Sequence, residues 1–244
     1  MDGTVVVTGG SRGIGAAVVR ALAARGTPVC FSYATHREAA ESVVAQAEEL
    51  GTTAVAVRAD VAEEADVRRL FAAADRLGPL AGLVNNAGQV AAQSPVVDLE
   101  PARIRRLLDV NVLGAFLCAQ EAVRRLVPAG GGTVVNVSSR AAVLGGAGEY
   151  VDYAASKAAV DALTVGLAKE VGPAGVRVVG VRPGLIRTDI HAVAGEPGRV
   201  ERLAPTVPLG RGGEADEVAE AVVWLLSEAA SYVTGTTLDV SGGR

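Results

Sequence analysis

Lysine is nearly missing from this sequence: Lys157 and Lys169 stand against twenty-one arginines. Cysteine is as rare, with Cys30 and Cys118 far apart inside apolar segments. With no C-x-x-C spacing and no histidine-rich neighbourhood, no metal site or disulfide is expected. The pair reads as buried free thiols in a reducing, cytoplasmic compartment. Aromatic residues make up 3% of the chain, so the core must be built from valine, alanine and leucine. No apolar run approaches the ~18 residues of a membrane span, and Met1-Asp2-Gly3 leads into a strand without a basic leader region. A block of basic residues is missing too, and the net charge is −4. Nucleic acid is therefore excluded as the main partner. What remains is 244 residues, half of them apolar and 20% charged, enough for a substantial soluble core.

Strand and helix patterns alternate from end to end. Short runs rich in β-branched residues at 4–8, 28–33, 53–59, 82–84, 133–137, 176–181 and 236–240 suit parallel strands buried on both faces. Helical stretches fall at 16–25, 37–50, 63–77, 101–126, 153–171 and 214–226. With no linker, repeat or low-complexity tract, this predicts one α/β domain spanning 1–244, a doubly wound Rossmann fold with a seven-stranded parallel sheet. The segment 185–213 has no periodicity and many prolines and glycines, and is expected to be a lid over a substrate. Its charged residues His191, Glu196, Arg199, Glu201 and Arg202 are expected to be solvated.

Two local patterns carry chemistry. Gly9-Gly10-Ser11-Arg12-Gly13-Ile14-Gly15 lies between a strand and a helix, where glycines allow close backbone approach and a helix N-terminus attracts a phosphate. Tyr153 and Lys157 are four residues apart and share a helix face. A phenol beside an ammonium is a general acid/base, because the cation draws the phenol below its ordinary pKa of about 10. Arginine is the habitual cation here, so a retained lysine points to a need for a compact ammonium.

Taken in order, Thr8-Gly9 with Gly13-Ile14-Gly15, Asp60-Val61, Asn85-Asn86-Ala87-Gly88, Asn111, Asn136-Val137-Ser138-Ser139, Tyr153 with Lys157, and Pro183-Gly184 with Thr188 form a recognisable series. Over essentially its whole length the chain resembles the short-chain dehydrogenase/reductase family in its shorter, single-domain branch. The resemblance is closest to members like the 3-oxoacyl carrier-protein reductases and the glucose dehydrogenases. It implies a ketoreductase-type catalytic tetrad of Asn111, Ser139, Tyr153 and Lys157. Tyr153 would exchange a proton with the substrate oxygen, and Ser139 would orient that oxygen, with Ser138 the neighbouring candidate. Lys157 would lower the Tyr153 pKa and bind the nicotinamide ribose, and Asn111 would hold a water leading to solvent.

The resemblance also implies a nicotinamide cofactor. Gly9, Ser11, Arg12, Gly13, Ile14 and Gly15 would meet its pyrophosphate and adenosine end. Asp60 and Val61 would meet the adenine; Asn86, Ala87 and Gly88 the adenosine ribose; Pro183, Gly184, Ile186 and Thr188 the nicotinamide. An acidic residue normally grips the ribose 2′-hydroxyl at the end of the second strand, about 20 residues beyond the glycine turn. Here Ser32 and Tyr33 stand there. Arg12 and His36-Arg37 lie at helix starts, the unfavourable end of the dipole for a cation. A 2′-phosphate between Arg12 and Arg37 would account for both, so NADP(H) is expected over NAD(H).

The expected reaction interconverts a carbonyl and a secondary alcohol on a small molecule. Apolar residues around more than one face of 112–126 and 158–171 add the expectation of a homotetramer, or a homodimer. A non-catalytic dinucleotide sensor of the same fold is the alternative, but should show a broken tetrad. An extended-branch sugar-nucleotide epimerase would need a longer C-terminal region.

Overall fold

The computed structural model describes residues 3–244; Met1 and Asp2, with the expectation placed on that N-terminus, lie outside the described residues. The β-branched runs become β1 (Thr4–Val7), β2 (Val29–Tyr33), β3 (Ala54–Arg58), β4 (Leu80–Asn85), β5 (Gly132–Val137) and β6 (Val176–Pro183). After two two-residue strands, β7 (Ile186–Arg187) and β8 (Gly213–Glu214), β9 (Thr237–Val240) completes the main sheet. Its seven strands are parallel in the order β3-β2-β1-β4-β5-β6-β9.

Successive strand side chains point to opposite faces, and both faces are covered. Val5, Val7, Phe31, Val135 and Val179 pack beneath α1 (Gly13–Ala23), α2 (Arg37–Glu49) and α10 (Ala215–Leu226). Val6, Cys30, Leu83, Val134 and Val178 pack beneath α3 (Glu64–Ala74), α5 (Gly114–Leu126) and α7 (Val151–Val171). A fully buried valine or leucine contributes about 1.5–3 kcal/mol, so an aliphatic core of this size is built with few aromatics. The result is the expected doubly wound fold. Cys30 and Cys118 are buried and free, and burial pushes both thiols up to about 12.

Three local readings need correction. The helix expected over 101–126 is α4 (Pro101–Leu108) and α5 joined by one π-turn, Asp109–Leu113, which contains Asn111. A short helix outside the expected helical stretches, α6 (Ala141–Leu144), precedes α7. The segment 185–213 is not structureless: β7 pairs with β8, and α8 (Ile190–Val193) and α9 (Arg199–Leu203) lie between them.

The strand order reverses at β1 and β4. In open parallel sheets ligands bind outside the carboxyl ends of the strands at such a switch point.

Candidate active site

The ends of β1, β4 and β5 meet at that crevice, and polar bonds fix them to one another. Asn86 N and Ala87 N donate to Thr8 Oγ1 at 3.0 and 2.9 Å, and Asn86 Nδ2 donates back to Thr8 O and Gly9 O at 2.9 and 3.1 Å. Asn85 Nδ2 donates to Asn136 Oδ1 at 3.0 Å, and Asn136 Nδ2 to Thr164 Oγ1 of α7 at 2.9 Å. These pairs are buried and satisfied, which stiffens the floor of the site.

The glycine turn is a cradle that a side chain would fill. A Cβ on Gly15 would fall 2.2 Å from Gly9 O, and one on Gly10 2.6 Å from Phe31 Cβ. Gly13 has φ +53°, and a Cβ there would meet Thr188 Cγ2 at 3.3 Å. Arg12 precedes α1 without a side-chain cap, and no acidic residue stands in the helix's first turn. The α1 amides therefore face the crevice uncapped, a fit for the pyrophosphate of a dinucleotide. Ser11, Arg12, Gly13, Thr188 and Asp189 line a groove of about 370 Å³ beside it.

The other expected cofactor residues divide. Ile14 and Tyr33 are partly buried against the core. Asp60 accepts from Arg106 Nη2 at 2.8 Å and Ala62 N at 3.0 Å, and Val61 is buried against the space a Gly114 side chain would need. A Cβ on Gly88 would fall 3.2 Å from Lys157 Nζ and 3.4 Å from Asn111 Oδ1, so this glycine lets the backbone reach the tetrad. Pro183 is buried at the end of β6, and Gly184 packs against Ser241. The Ile186 side chain is buried in the core, while its strand pairs with β8 and its carbonyl lies 2.8 Å from His191 Nε2. Arg12 and Arg37 do not meet each other. Arg12 lies 3.8 Å from Asp189, and Arg37 Nε donates to Glu41 one turn along its own helix.

The tetrad gathers around the start of α7. Ser139 Oγ accepts from Ala141 N at 3.1 Å. Burial raises the Tyr153 phenol above the ordinary tyrosine value, and the neighbouring Ser139 hydroxyl opposes this. Ser138 points elsewhere: its Oγ donates to Lys157 O at 3.1 Å inside the protein. Lys157 is buried, and its Nζ donates to Val137 O at 2.8 Å, 5.9 Å from the centre of the Tyr153 ring. Burial pushes its ammonium down to about 8. The ammonium is thus turned to a strand carbonyl, and burial dominates the Tyr153 phenol.

Asn111 sits in the π-turn, with its side chain engaged by neighbouring elements. Its side chain donates to Gln89 O at 2.9 Å and Ser156 Oγ at 3.0 Å, and accepts from Gln89 N at 2.7 Å. Both amide protons are used, so the side chain braces the loop after β4. Nothing in the residue types foretold the Gln89 and Ser156 partners, which come from other elements. Arg199, expected in solvent, is 5% exposed and bound to Glu149, Tyr150 and Glu196.

Comparison with known proteins finds relatives over nearly the whole chain. The family model described as enoyl-(acyl carrier protein) reductase matches residues 9–244. An uncharacterized oxidoreductase, YgfF, of Escherichia coli (strain K12) is 50% identical over 243 residues, covering 98% of each chain. A cis-4-hydroxycyclohexanecarboxylate dehydrogenase of Sinomonas cyclohexanicum is 40% identical, over 98% of this chain and 94% of its own. Among solved structures, a short chain dehydrogenase from Burkholderia cenocepacia J2315 in complex with NADP superposes with a TM-score of 0.90 at 35% identity, over 99% of this chain and 97% of its own.

Proposed function

The chain belongs to the short-chain dehydrogenase/reductase family, and from that premise we propose an NADP(H)-dependent enzyme that interconverts a carbonyl and a secondary alcohol, with Tyr153 as general acid/base. That it is an oxidoreductase of alcohol and carbonyl substrates follows from the family. One observation carries the finer reading: Lys157 Nζ lies 5.9 Å from the centre of the Tyr153 ring and 3.2 Å from where a Gly88 Cβ would fall, so the phenol and the ammonium share the crevice at the strand ends.

The cradle residues Gly9 to Gly15, with Asp60, Val61, Asn86 to Gly88 and Thr188, would hold the dinucleotide, which when bound supplies the hydride. Tyr153 donates its phenolic proton to the substrate oxygen in reduction and takes it back in oxidation. Burial suits the first task, because a phenol held above its ordinary value stays protonated at neutral pH. Ser139 hydrogen-bonds the same oxygen and fixes the carbonyl at Tyr153. Lys157, beside Gly88, is within reach of a ribose diol, and Asn111 holds the Gln89 backbone against the site. The lid over 185–213 covers the substrate.

Preference for NADP(H) rests on three features. The end of β2 offers no carboxylate, and Ser32 Oγ there is already engaged by Gly9 N at 3.0 Å. The Arg12 and Arg37 partners, Asp189 and Glu41, are exposed carboxylates in single pairs that hold their arginines weakly. A 2′-phosphate can draw both arginines away. Steady-state kinetics with both cofactors should give a lower KM for NADPH, and Arg12→Ala or Arg37→Ala should each erode that preference about tenfold. A preference for NADH in the unaltered protein overturns the assignment.

The exposed Leu113, Phe116 and Val165 on the α5–α7 side, and Trp224 and Leu238 near β9, suit burial between copies of this chain. A homotetramer is the assembly proposed, in a reducing cytoplasm that suits the two free thiols. Light scattering should report about four chains per particle, and a stable monomer would count against it.

A further inference from the structure

Arg199 is 5% exposed, whereas the lid arginines Arg187, Arg202 and Arg211 keep open side chains. A buried guanidinium needs partners, and this one takes Glu196 from the lid and Glu149 and Tyr150 from outside it. Its Nη1 donates to Glu149 Oε1 at 3.2 Å and Glu196 Oε2 at 2.8 Å. Its Nη2 donates to Glu149 Oε2 at 2.5 Å and to the Tyr150 hydroxyl. Its carbon centre lies 5.1 Å above the Tyr150 ring. Glu149 and Tyr150 form the corner that opens α7, and the Tyr150 ring meets the Tyr153 ring edge-on, with centroids 5.9 Å apart at 90°. The loop after β4 joins the same knot: Ser94 N donates to Glu149 O at 2.7 Å and Gln93 Nε2 to Glu196 Oε2 at 2.6 Å.

We propose that Arg199 is a positioning residue: its fork docks the lid on the Glu149–Tyr150 corner and, through the Tyr150 ring, holds the Tyr153 phenol in register for proton transfer. This rests on Tyr153 being the general acid/base. Tyr150 itself is no rival for that task, since its hydroxyl is bound by Arg199 and burial pushes its phenol up to about 12. The fork is what one cation needs to hold two carboxylates and a phenol at once, which an ammonium cannot do in the same geometry.

The charged and titratable groups around Tyr153 are Lys157 and the Arg103–Asp152 pair on one side, and Tyr150, Glu149, Arg199, Glu196 and His191 on the other. Removing the Arg199 charge leaves Glu149 and Glu196 behind, which disfavours a phenolate and raises the Tyr153 pKa. The basic limb of kcat/KM for reduction then moves to higher pH.

The test compares Arg199→Met, Arg199→Lys and Tyr150→Phe with the unaltered enzyme, by steady-state kinetics over pH, NADPH affinity and hydrogen exchange. In Arg199→Met, KM for the carbonyl substrate should rise about tenfold and kcat fall about tenfold, with NADPH affinity within about twofold. The basic limb should move up in Arg199→Met and return in Arg199→Lys, while KM recovers only in part. Tyr150→Phe should lower kcat, and the double variant should be no worse than Arg199→Met. Exchange should quicken in 190–203 and 149–153 together. Loss of thermal stability alone, with KM, kcat and the limb unmoved, overturns the proposal. If the unaltered protein oxidises no NADPH with any carbonyl, the reductase reading has failed, and exchange decides the docking separately. Quickening confined to 190–203, or none, overturns it.

Discussion

Tyr153→Phe is expected to lower kcat/KM for carbonyl reduction by about 10³-fold, roughly 4 kcal/mol of transition-state stabilisation, while NADPH binding stays within about twofold. The phenylalanine ring keeps the edge contact with Tyr150, and Lys157 keeps its bond to Val137 O. The substitution therefore removes the proton donor with little disturbance of packing. Ser139→Ala should cost less, about 10²-fold, because it removes one donor to the carbonyl oxygen and leaves the proton source. Steady-state kinetics on purified variants, with cofactor affinity measured by fluorescence, checks both. A Tyr153→Phe enzyme of undiminished activity would remove the phenol from the reaction.

The second large effect is on stability. Asp152, one residue before Tyr153, has a side chain 2% exposed and takes both arms of Arg103, at 2.9 and 3.3 Å. It also accepts from Tyr153 N at 3.0 Å, and Arg103 donates on to Ala92 O. Asp152→Ala strips the counter-charge from a largely buried guanidinium and unties α7 from α4 and the loop after β4. Breaking such a pair should cost about 3 kcal/mol, or about 6–12 °C in Tm for a domain of this size. Asp152→Asn, which keeps an acceptor, should lose less. Thermal and urea unfolding read the difference, and a loss below about 1 kcal/mol would show that the pair contributes little.

The architecture was legible because each buried strand is a short run rich in β-branched residues and each crossover ends at a glycine or a polar turn. Valine at 5, 6 and 7 can only be a strand covered on both faces. The chemistry was legible where it sits at strand ends, since Gly9 to Gly15, Asn85 to Gly88, Ser138-Ser139 and the Tyr153 helix all fall at the switch point. Side-chain direction was not. Whether Lys157 turns to Tyr153 or to Val137 O, and whether Asn111 faces water or Gln89, depends on distant backbone that residue spacing does not reveal. The short helices of 185–213 were hidden for a related reason. Helices as short as α8 and α9 carry too few turns for periodicity, and the burial of Arg199 depends on Glu149, fifty positions away in the chain. In the same way Arg37 finds Glu41 on its own helix, a local pairing that composition does not distinguish from a site for an anion.

The most direct test of the account follows the hydrogen atoms. The protein is incubated with NADPH deuterated at its transferable position and with ketones, diketones, 3-oxoacyl thioesters and sugar lactones, and the products are analysed by mass spectrometry. Deuterium should appear on the former carbonyl carbon of at least one product, and the yield should collapse about 10³-fold in Tyr153→Phe. Products without label, no product from any carbonyl, or label delivered equally well by Tyr153→Phe would contradict it.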